Sequence, residues 1–221
     1  MRVLVIAAHM DDEAVGVGGT IVRHVRAGDQ VTVCVVCKRA YDHRFDEAAI
    51  AIERQATKDA AARLGYTDLR FLELRDELLD ERLLDVIVPI EQIVNDVRPA
   101  TVYTHHRGDA NQDHRAVFQA SMVACRSIAP NPPDRILCYE VASSSDQAAP
   151  FPEFAFQPNT YVNVAGELPV KLAAVECYRR ELREFPHPRS VRGLEVLARK
   201  RGMEAGLEAA EAFMLVRSVL R

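Results

Sequence analysis

No apolar run in this 221-residue chain approaches the ~20 residues that a membrane-spanning helix requires, so no span is expected. Basic excess is also lacking. With 28 Lys and Arg against 32 Asp and Glu, the formal net charge is −4 and the pI is near 6.0. A nucleic-acid surface usually needs a basic face, and none is expected here. The N-terminal apolar run is too short for the core of a signal peptide and acids interrupt it at once, which makes the cytoplasm the expected location. Cysteines are few, odd in number and scattered: Cys34, Cys37, Cys125, Cys138 and Cys177. That usage predicts reduced thiols rather than a disulfide framework. Cys34 and Cys37 have C-x-x-C spacing but fall within one β-branched run. Residues i and i+3 of a strand face opposite ways, so the pair is expected neither to bridge nor to chelate. The chain lacks internal repeats and any long linker, so 1–221 reads as a single domain, with a core over 1–142 and a loop-and-helix extension over 143–221.

What is present is an alternation of strand and helix signals. Residues 2–8, 30–37, 68–74, 101–104 and 135–141 read as strands. Residues 17–27, 46–64, 81–97 and 113–127 read as helices, with Gly28, Gly65 and Arg98-Pro99 as stops. Such alternation predicts an α/β, Rossmann-like three-layer fold with a mostly parallel sheet and helices on both faces. If the sheet is doubly wound in the order 3-2-1-4-5, strands one and four are neighbours where the order reverses, and ligands bind at that crevice. Beyond residue 142, the stretch 143–158 reads as a loop that either crosses the surface or walls a site. Residues 161–164 read as a short strand, and 166–183 and 193–218 as helices.

Two polar clusters interrupt this pattern at telling places. Ala8-His9-Met10-Asp11-Asp12-Glu13 follows the apolar run of the first strand and precedes Gly16-Val17-Gly18-Gly19. Three consecutive acids repel one another unless something positive sits among them, and a divalent metal is the simplest candidate. The fourth strand feeds into His105-His106-Arg107-Gly108-Asp109-Ala110-Asn111-Gln112-Asp113-His114-Arg115.

The first cluster resembles the A-H-P-D-D-E signature of the LmbE/PIG-L superfamily of zinc-dependent N-deacetylases, and the second resembles that family's D-x-H-x-D-H-R block. Glu53-Arg54-Gln55 and Pro186-His187-Pro188-Arg189-Ser190 resemble weaker family features. Two departures stand out. Met10 replaces a proline, which would soften the loop. Asn111 replaces a histidine, and asparagine donates a hydrogen bond but cannot transfer a proton.

The resemblance implies hydrolysis of an N-acetyl group from a soluble amino sugar or sugar conjugate, with no membrane or nucleic-acid partner and with a homo-oligomer left open. His9, Asp12 and His114 would hold Zn2+ or another divalent transition metal, and Asp11 would be the general base. Asn111 would lie at the open metal position, and the proton for the leaving amine would come from His187 or from Asp11 itself. His105 and His106 are nearer in sequence, and His105 could equally be a packed strand residue. Arg54, Asp109 and Arg189 would hold substrate, with Glu13 and Asp113 behind the ligands. The alternatives are a deacylase or amidase acting on a non-sugar amide, and a non-catalytic metal-binding protein. A dinucleotide-binding reading of the glycine run is disfavoured, because the run lacks G-x-G-x-x-G spacing and acids would repel a pyrophosphate.

Overall fold

A computed structural model describes residues 1–38 and 46–220. Its strands are β1 (Arg2–Ala7), β2 (Gln30–Cys37), β3 (Asp68–Leu74), β4 (Thr101–His105), β5 (Arg135–Tyr139), β6 (Thr160–Asn163) and β7 (Ala210–Ser218). The helices are α1 (Asp12–Arg26), α2 (Glu47–Leu64), α3 (Leu83–Val97), α4 (Gln112–Ala124), α5 (Leu168–Val175) and α6 (Val191–Ala205). The strands form one sheet in the order β3-β2-β1-β4-β5-β7-β6. β1 to β5 run parallel, and β7 and β6 extend the sheet antiparallel. The expected order 3-2-1-4-5 therefore holds, and β1 pairs directly with β4 through Val3–Thr101 to Val5–Tyr103.

The sheet is buried on both faces because its central strands are apolar at nearly every position. Val3 and Val5 of β1 join a core with Val17, Ile21, Leu64 and Tyr178 on one side. Leu4, Ile6 and Ala8 join a second core with Val86, Ile90, Val94, Val117 and Ala120 on the other. Helices α1, α2 and α5 cover the first face, and α3 and α4 the second. None of the described helices is long and apolar enough to cross a membrane.

Three expectations change. The first helix begins at Asp12 rather than residue 17, so the acids form its first turn instead of a loop before it. The helix expected over 166–183 ends at Val175, and the rest is turns. The helix expected over 193–218 is α6 followed by strand β7. Gly206, at φ 69, stops α6 in the left-handed region that glycine adopts freely. Helix-favouring residues such as Ala210, Glu211, Ala212 and Leu215 become strand because β7 lies between β5 and β6, where pairing on both edges outweighs propensity.

The glycine run lies inside α1, where it serves packing. A Cβ on Gly16 would fall 2.3 Å from the Tyr139 ring, and one on Gly19 2.8 Å from Val164. Glu211 of β7 also reaches α1. It accepts from Gly19 N–H at 2.8 Å and Thr20 N–H at 2.7 Å, and from Lys171 of α5 at 2.6 Å, all buried. The C-terminal strand is thereby fastened to the helix whose first turn carries the acids.

Candidate metal and catalytic site

The chain leaves β1 at Ala7 and turns sharply. Asp11 takes φ 140, an uncommon conformation for a residue with a Cβ, and its carbonyl accepts the first helical bonds from Ala14 and Val15 at 3.0 and 2.9 Å. Strain of this kind, typically about 1–3 kcal/mol, persists only where surrounding contacts enforce it, and it clusters at functional sites. The Asp12 carboxylate accepts the His9 N–H at 2.7 Å, closing the turn. Met10 is fully buried in the core, so packing holds the loop that was expected to be soft without proline.

From β4 the chain reaches Asn111, whose side-chain oxygen caps α4 by accepting from Asp113 N–H at 2.8 Å and His114 N–H at 3.4 Å. Asparagine is among the preferred N-caps. The cap sets His114 in the first turn, facing His9 across the β1–β4 junction.

His9 Nδ1 lies 3.2 Å from His114 Nε2 and 3.5 Å from Asp12 Oδ2, and His114 Nε2 lies 3.4 Å from Asp12 Oδ2. Ligand atoms about 2.0–2.2 Å from one tetrahedral ion are about 3.3–3.6 Å apart, so the three donors have the spacing of one face of a tetrahedral site. All three residues are buried.

A carboxylate stands at the outer nitrogen of each imidazole. His9 Nε2 meets Asp113 Oδ2 at 3.1 Å, and His114 Nδ1 meets Asp109 Oδ1 at 3.2 Å. Asp113 is fixed in turn by Glu77 N–H at 2.8 Å and Leu79 N–H at 3.3 Å. Asp109 accepts from Asn111 N–H at 2.9 Å, from the Ser145 hydroxyl at 2.6 Å and from the Ser144 hydroxyl. Carboxylates behind metal-ligating histidines select the tautomer and orient the ring. Asp113 lies on the side of the His9 ring away from Asp12 and His114. Asp109 does not fit a substrate contact, since it is buried and both its oxygens are engaged within the protein.

Burial opposes a charged His9, yet Asp113, Asp12 and Cys37 raise its pKa well above the ordinary value. Burial likewise opposes a charged His114, but Asp12 and Asp109 lift it to about 9. Asp12, despite burial, is held well below the carboxylate range, chiefly by His114 and His105. The acids therefore demand positive charge at this point, which protonated imidazoles or a divalent cation can supply. Donor types, spacing and charge all fit a metal ion. His105, depressed to about 4 by burial and by His114, stacks on His114 with ring centroids 3.9 Å apart. Its Nε2 accepts from Ala8 N–H at 2.8 Å and meets the Tyr139 hydroxyl at 3.0 Å, so it is the packed strand residue that its position allowed.

The remaining expected residues are placed differently from one another. Asp11 Oδ2 accepts from Arg189 Nη1 at 2.9 Å, and the same nitrogen is 3.2 Å from Glu181. Arg189 is thus tied to the expected base. His187, by contrast, is exposed. Its Nδ1 accepts from Arg189 N–H at 3.0 Å, and it makes no hydrogen bond, ion pair or ring contact with His9, Asp11, Asp12 or His114. Its turn presents the arginine rather than the histidine. Arg54 lies over the Phe71 ring at 5.1 Å and pairs with Glu73 at the end of β3, away from the two histidines' contacts. Glu13 accepts from the Tyr178 hydroxyl at 2.6 Å, and burial raises its pKa to about 7.

Sequence reasoning missed Ser144, Ser145, Tyr139 and Cys37. The serines lay in a stretch read as surface loop, and their link to Asp109 spans about 35 positions. The same stretch packs its end on the loop after β4: His106 Nε2 meets Phe154 O at 3.0 Å, and Arg107 donates to Glu153 O at 2.9 Å. Residues 143–158 therefore wall the histidine loop rather than crossing free surface. Cys34 and Cys37 are free thiols, as expected, but they share one core face instead of opposite ones. Cys37, the last residue of β2, packs on the Cys34 face and against His9, and the extra residue in the ladder there belongs to β3, between Phe71 and Leu74.

The fold and this constellation define an α/β protein with a His–Asp–His donor set at a topological switch point. The PIG-L model, described as GlcNAc-PI de-N-acetylase, matches residues 4–125, and the chain belongs to that family of deacetylases. The Escherichia coli K12 protein YaiS, described as an uncharacterized deacetylase, is 32% identical over 80% of this chain and 90% of its own length. A probable N-acetyl-alpha-D-glucosaminyl L-malate deacetylase 2 of Bacillus cereus is 28% identical over 81% and 83%. Among solved structures, N,N'-diacetylchitobiose deacetylase of Pyrococcus horikoshii superposes with TM-score 0.79 at 20% identity, covering 97% of this chain and 83% of that one. GalB, a 4-carboxy-2-hydroxymuconate hydratase of Pseudomonas putida KT2440, superposes with TM-score 0.80 at 19% identity over 100% and 98%. These two likenesses establish the fold, which hosts more than one chemistry.

Proposed function

We propose that the protein is a zinc-dependent, cytoplasmic N-deacetylase that removes acetate from an N-acetylated amino sugar conjugate. The observation that carries this reading is the spacing of His9 Nδ1, Asp12 Oδ2 and His114 Nε2, with Asp11 fixed beside them. Family membership and the sugar deacetylases among its relatives supply the reaction class.

His9, Asp12 and His114 would hold the ion. A divalent ion bound there polarises an amide carbonyl and lowers the pKa of water bound to it. Asp113 and Asp109 keep the two imidazoles turned inward. Asp11 accepts the proton of the attacking water and returns it to the departing nitrogen, one carboxylate acting as base and then as acid. This assignment replaces His187, whose ring faces solvent, and Asn111, whose oxygen is committed to the α4 cap. Asn111 Nδ2 remains as a hydrogen-bond donor at the same end of the helix. Arg189 holds Asp11 in place, so its role is positioning rather than substrate binding. Arg54, engaged by Phe71 and Glu73, is not assigned a part in holding substrate.

The reading is tested by offering N-acetylglucosaminyl malate, diacetylchitobiose and N-acetylglucosaminyl inositol to chelated and zinc-reloaded protein. Acetate and free amine should appear together with the reloaded protein alone. Full zinc occupancy without hydrolysis of any of these, or of simple N-acetyl amides, would favour a non-catalytic metal-binding protein.

A further inference from the structure

His9 uses its two ring nitrogens in two different directions. Nδ1 faces Asp12 and His114. Nε2 faces two buried carboxylates, Asp113 Oδ2 at 3.1 Å and Asp76 Oδ1 at 3.7 Å, and the thiol of Cys37 also lies against His9. His9, Cys37 and Asp113 each place a donor atom within 4.8 Å of the others. Cys37 is fully buried, while His9, Asp76 and Asp113 are at most 4% exposed. The arrangement is built by the backbone. Cys37 N–H donates to Ala8 O at 2.8 Å, which joins the end of β2 to the residue before His9. Among the described cysteines Cys37 alone belongs to such a group.

We propose that Cys37, Asp113 and the Nε2 of His9 form a second cation site, selective for thiophilic divalent ions such as zinc or cadmium, back to back with the first through the His9 ring. A thiolate, an imidazole nitrogen and a carboxylate suit such ions, and the sulfur discriminates against magnesium and calcium. Filling this site while the first is occupied displaces two protons to solvent, the Cys37 Sγ–H and the His9 Nε2–H. The second ion is thus bound by a thiolate and by an imidazolate that bridges the two positions. It breaks the His9–Asp113 hydrogen bond that orients the ring. Excess zinc or cadmium would therefore slow the reaction proposed above, whereas excess magnesium would not. The inference rests on His9, Asp12 and His114 holding the first ion, but not on the identity of the acetylated substrate.

The test is a titration of chelated full-length protein with Co2+, followed by absorbance and by metal content after gel filtration. The wild type should bind two equivalents. The second should bring a sulfur-to-cobalt charge-transfer band in the near ultraviolet. Cys37→Ala, with Cys37→Ser as a second variant of nearly unchanged volume, should bind one equivalent without the band. It should keep its turnover at one equivalent of zinc and lose the inhibition by excess zinc. A wild type that saturates at one equivalent overturns the proposal, as does a second equivalent with an unchanged band in both variants. If the first equivalent binds but restores no hydrolysis, the proposed reaction fails, and the metal count still decides the second site.

Discussion

Arg189 Nη1 sits 2.9 Å from Asp11 Oδ2, joining two residues 178 positions apart. The same guanidinium reaches Glu181 Oε2 at 3.2 Å, and its Nε reaches Ala142 O at 3.3 Å. The turn after α5 thus serves as a brace for the first turn of α1. The brace explains how Asp11 keeps a backbone conformation at φ 140 that few non-glycine residues adopt.

Asp11→Asn should retain metal and fold yet slow deacetylation by about 10²–10⁴-fold, because an amide cannot accept the proton. Turnover near that of the wild type at full zinc occupancy would remove Asp11 from the chemistry. Arg189→Ala should reduce turnover less, and Arg189→Lys should recover part of it. A brace acts through the orientation of Asp11, whereas a substrate ligand would act mainly on KM.

His114→Ala should abolish zinc binding at the position shared with His9 Nδ1 and Asp12. Asp109→Asn should weaken it by about 10–100-fold, the usual range for a partner that orients a metal-binding histidine. Ser144→Ala with Ser145→Ala should move affinity in the same direction by a smaller amount. Equilibrium competition against a chelator checks the ranking, and an unchanged affinity for Asp109→Asn would show that the His114 contact does not orient the ring.

The chelated protein should lose stability as pH rises from about 6.5 to about 9. His114 is raised in the folded chain from 6.5 to about 9, so its contribution is complete below the unfolded value and disappears as pH passes the folded one. Zinc-loaded protein should be nearly flat over the same window and lose stability as pH falls below about 6.5, because the ion requires neutral imidazoles while the unfolded histidine takes up a proton there. Thermal melts of both forms across this range read the two slopes, and a flat profile for the chelated form contradicts the assignment.

Glu211→Ala should destabilise the fold by about 3–5 kcal/mol, since it leaves the Lys171 ammonium buried without its carboxylate. Replacing both residues with apolar ones of similar size should cost less than the single change. Chemical denaturation of the two variants makes the comparison.

His187→Ala should leave turnover and its alkaline limb unchanged, since the ring is exposed and makes no contact with His9, Asp12 or His114. Asn111→Ser keeps an N-cap and removes the amide donor. It should therefore hold stability close to wild type, and any loss of turnover then measures the donor. Asn111→Ala should in addition cost about 0.5–2 kcal/mol for the lost cap.

The local chemistry of the site was legible in sequence because it is written in short segments at strand ends. His9, Asp11 and Asp12 follow one apolar run, and Asp113 and His114 follow another through one turn. Alternating periodicity supplied the five parallel strands, and their order came from assuming a doubly wound sheet. Periodicity failed where pairing on both edges overrode propensity, as in β7, and where the chain turned after Val175. The contacts that orient and brace the candidate ligands were out of reach, because each joins segments distant in sequence. Ser144 and Ser145 reach Asp109, Arg189 reaches Asp11, and Cys37 reaches His9 from the end of β2. Residue types and spacing determine which groups can bind a metal or move a proton. Only the packed sheet and helices decide which nitrogen faces which carboxylate, because that choice depends on distances of a few ångströms between elements that the linear chain leaves independent.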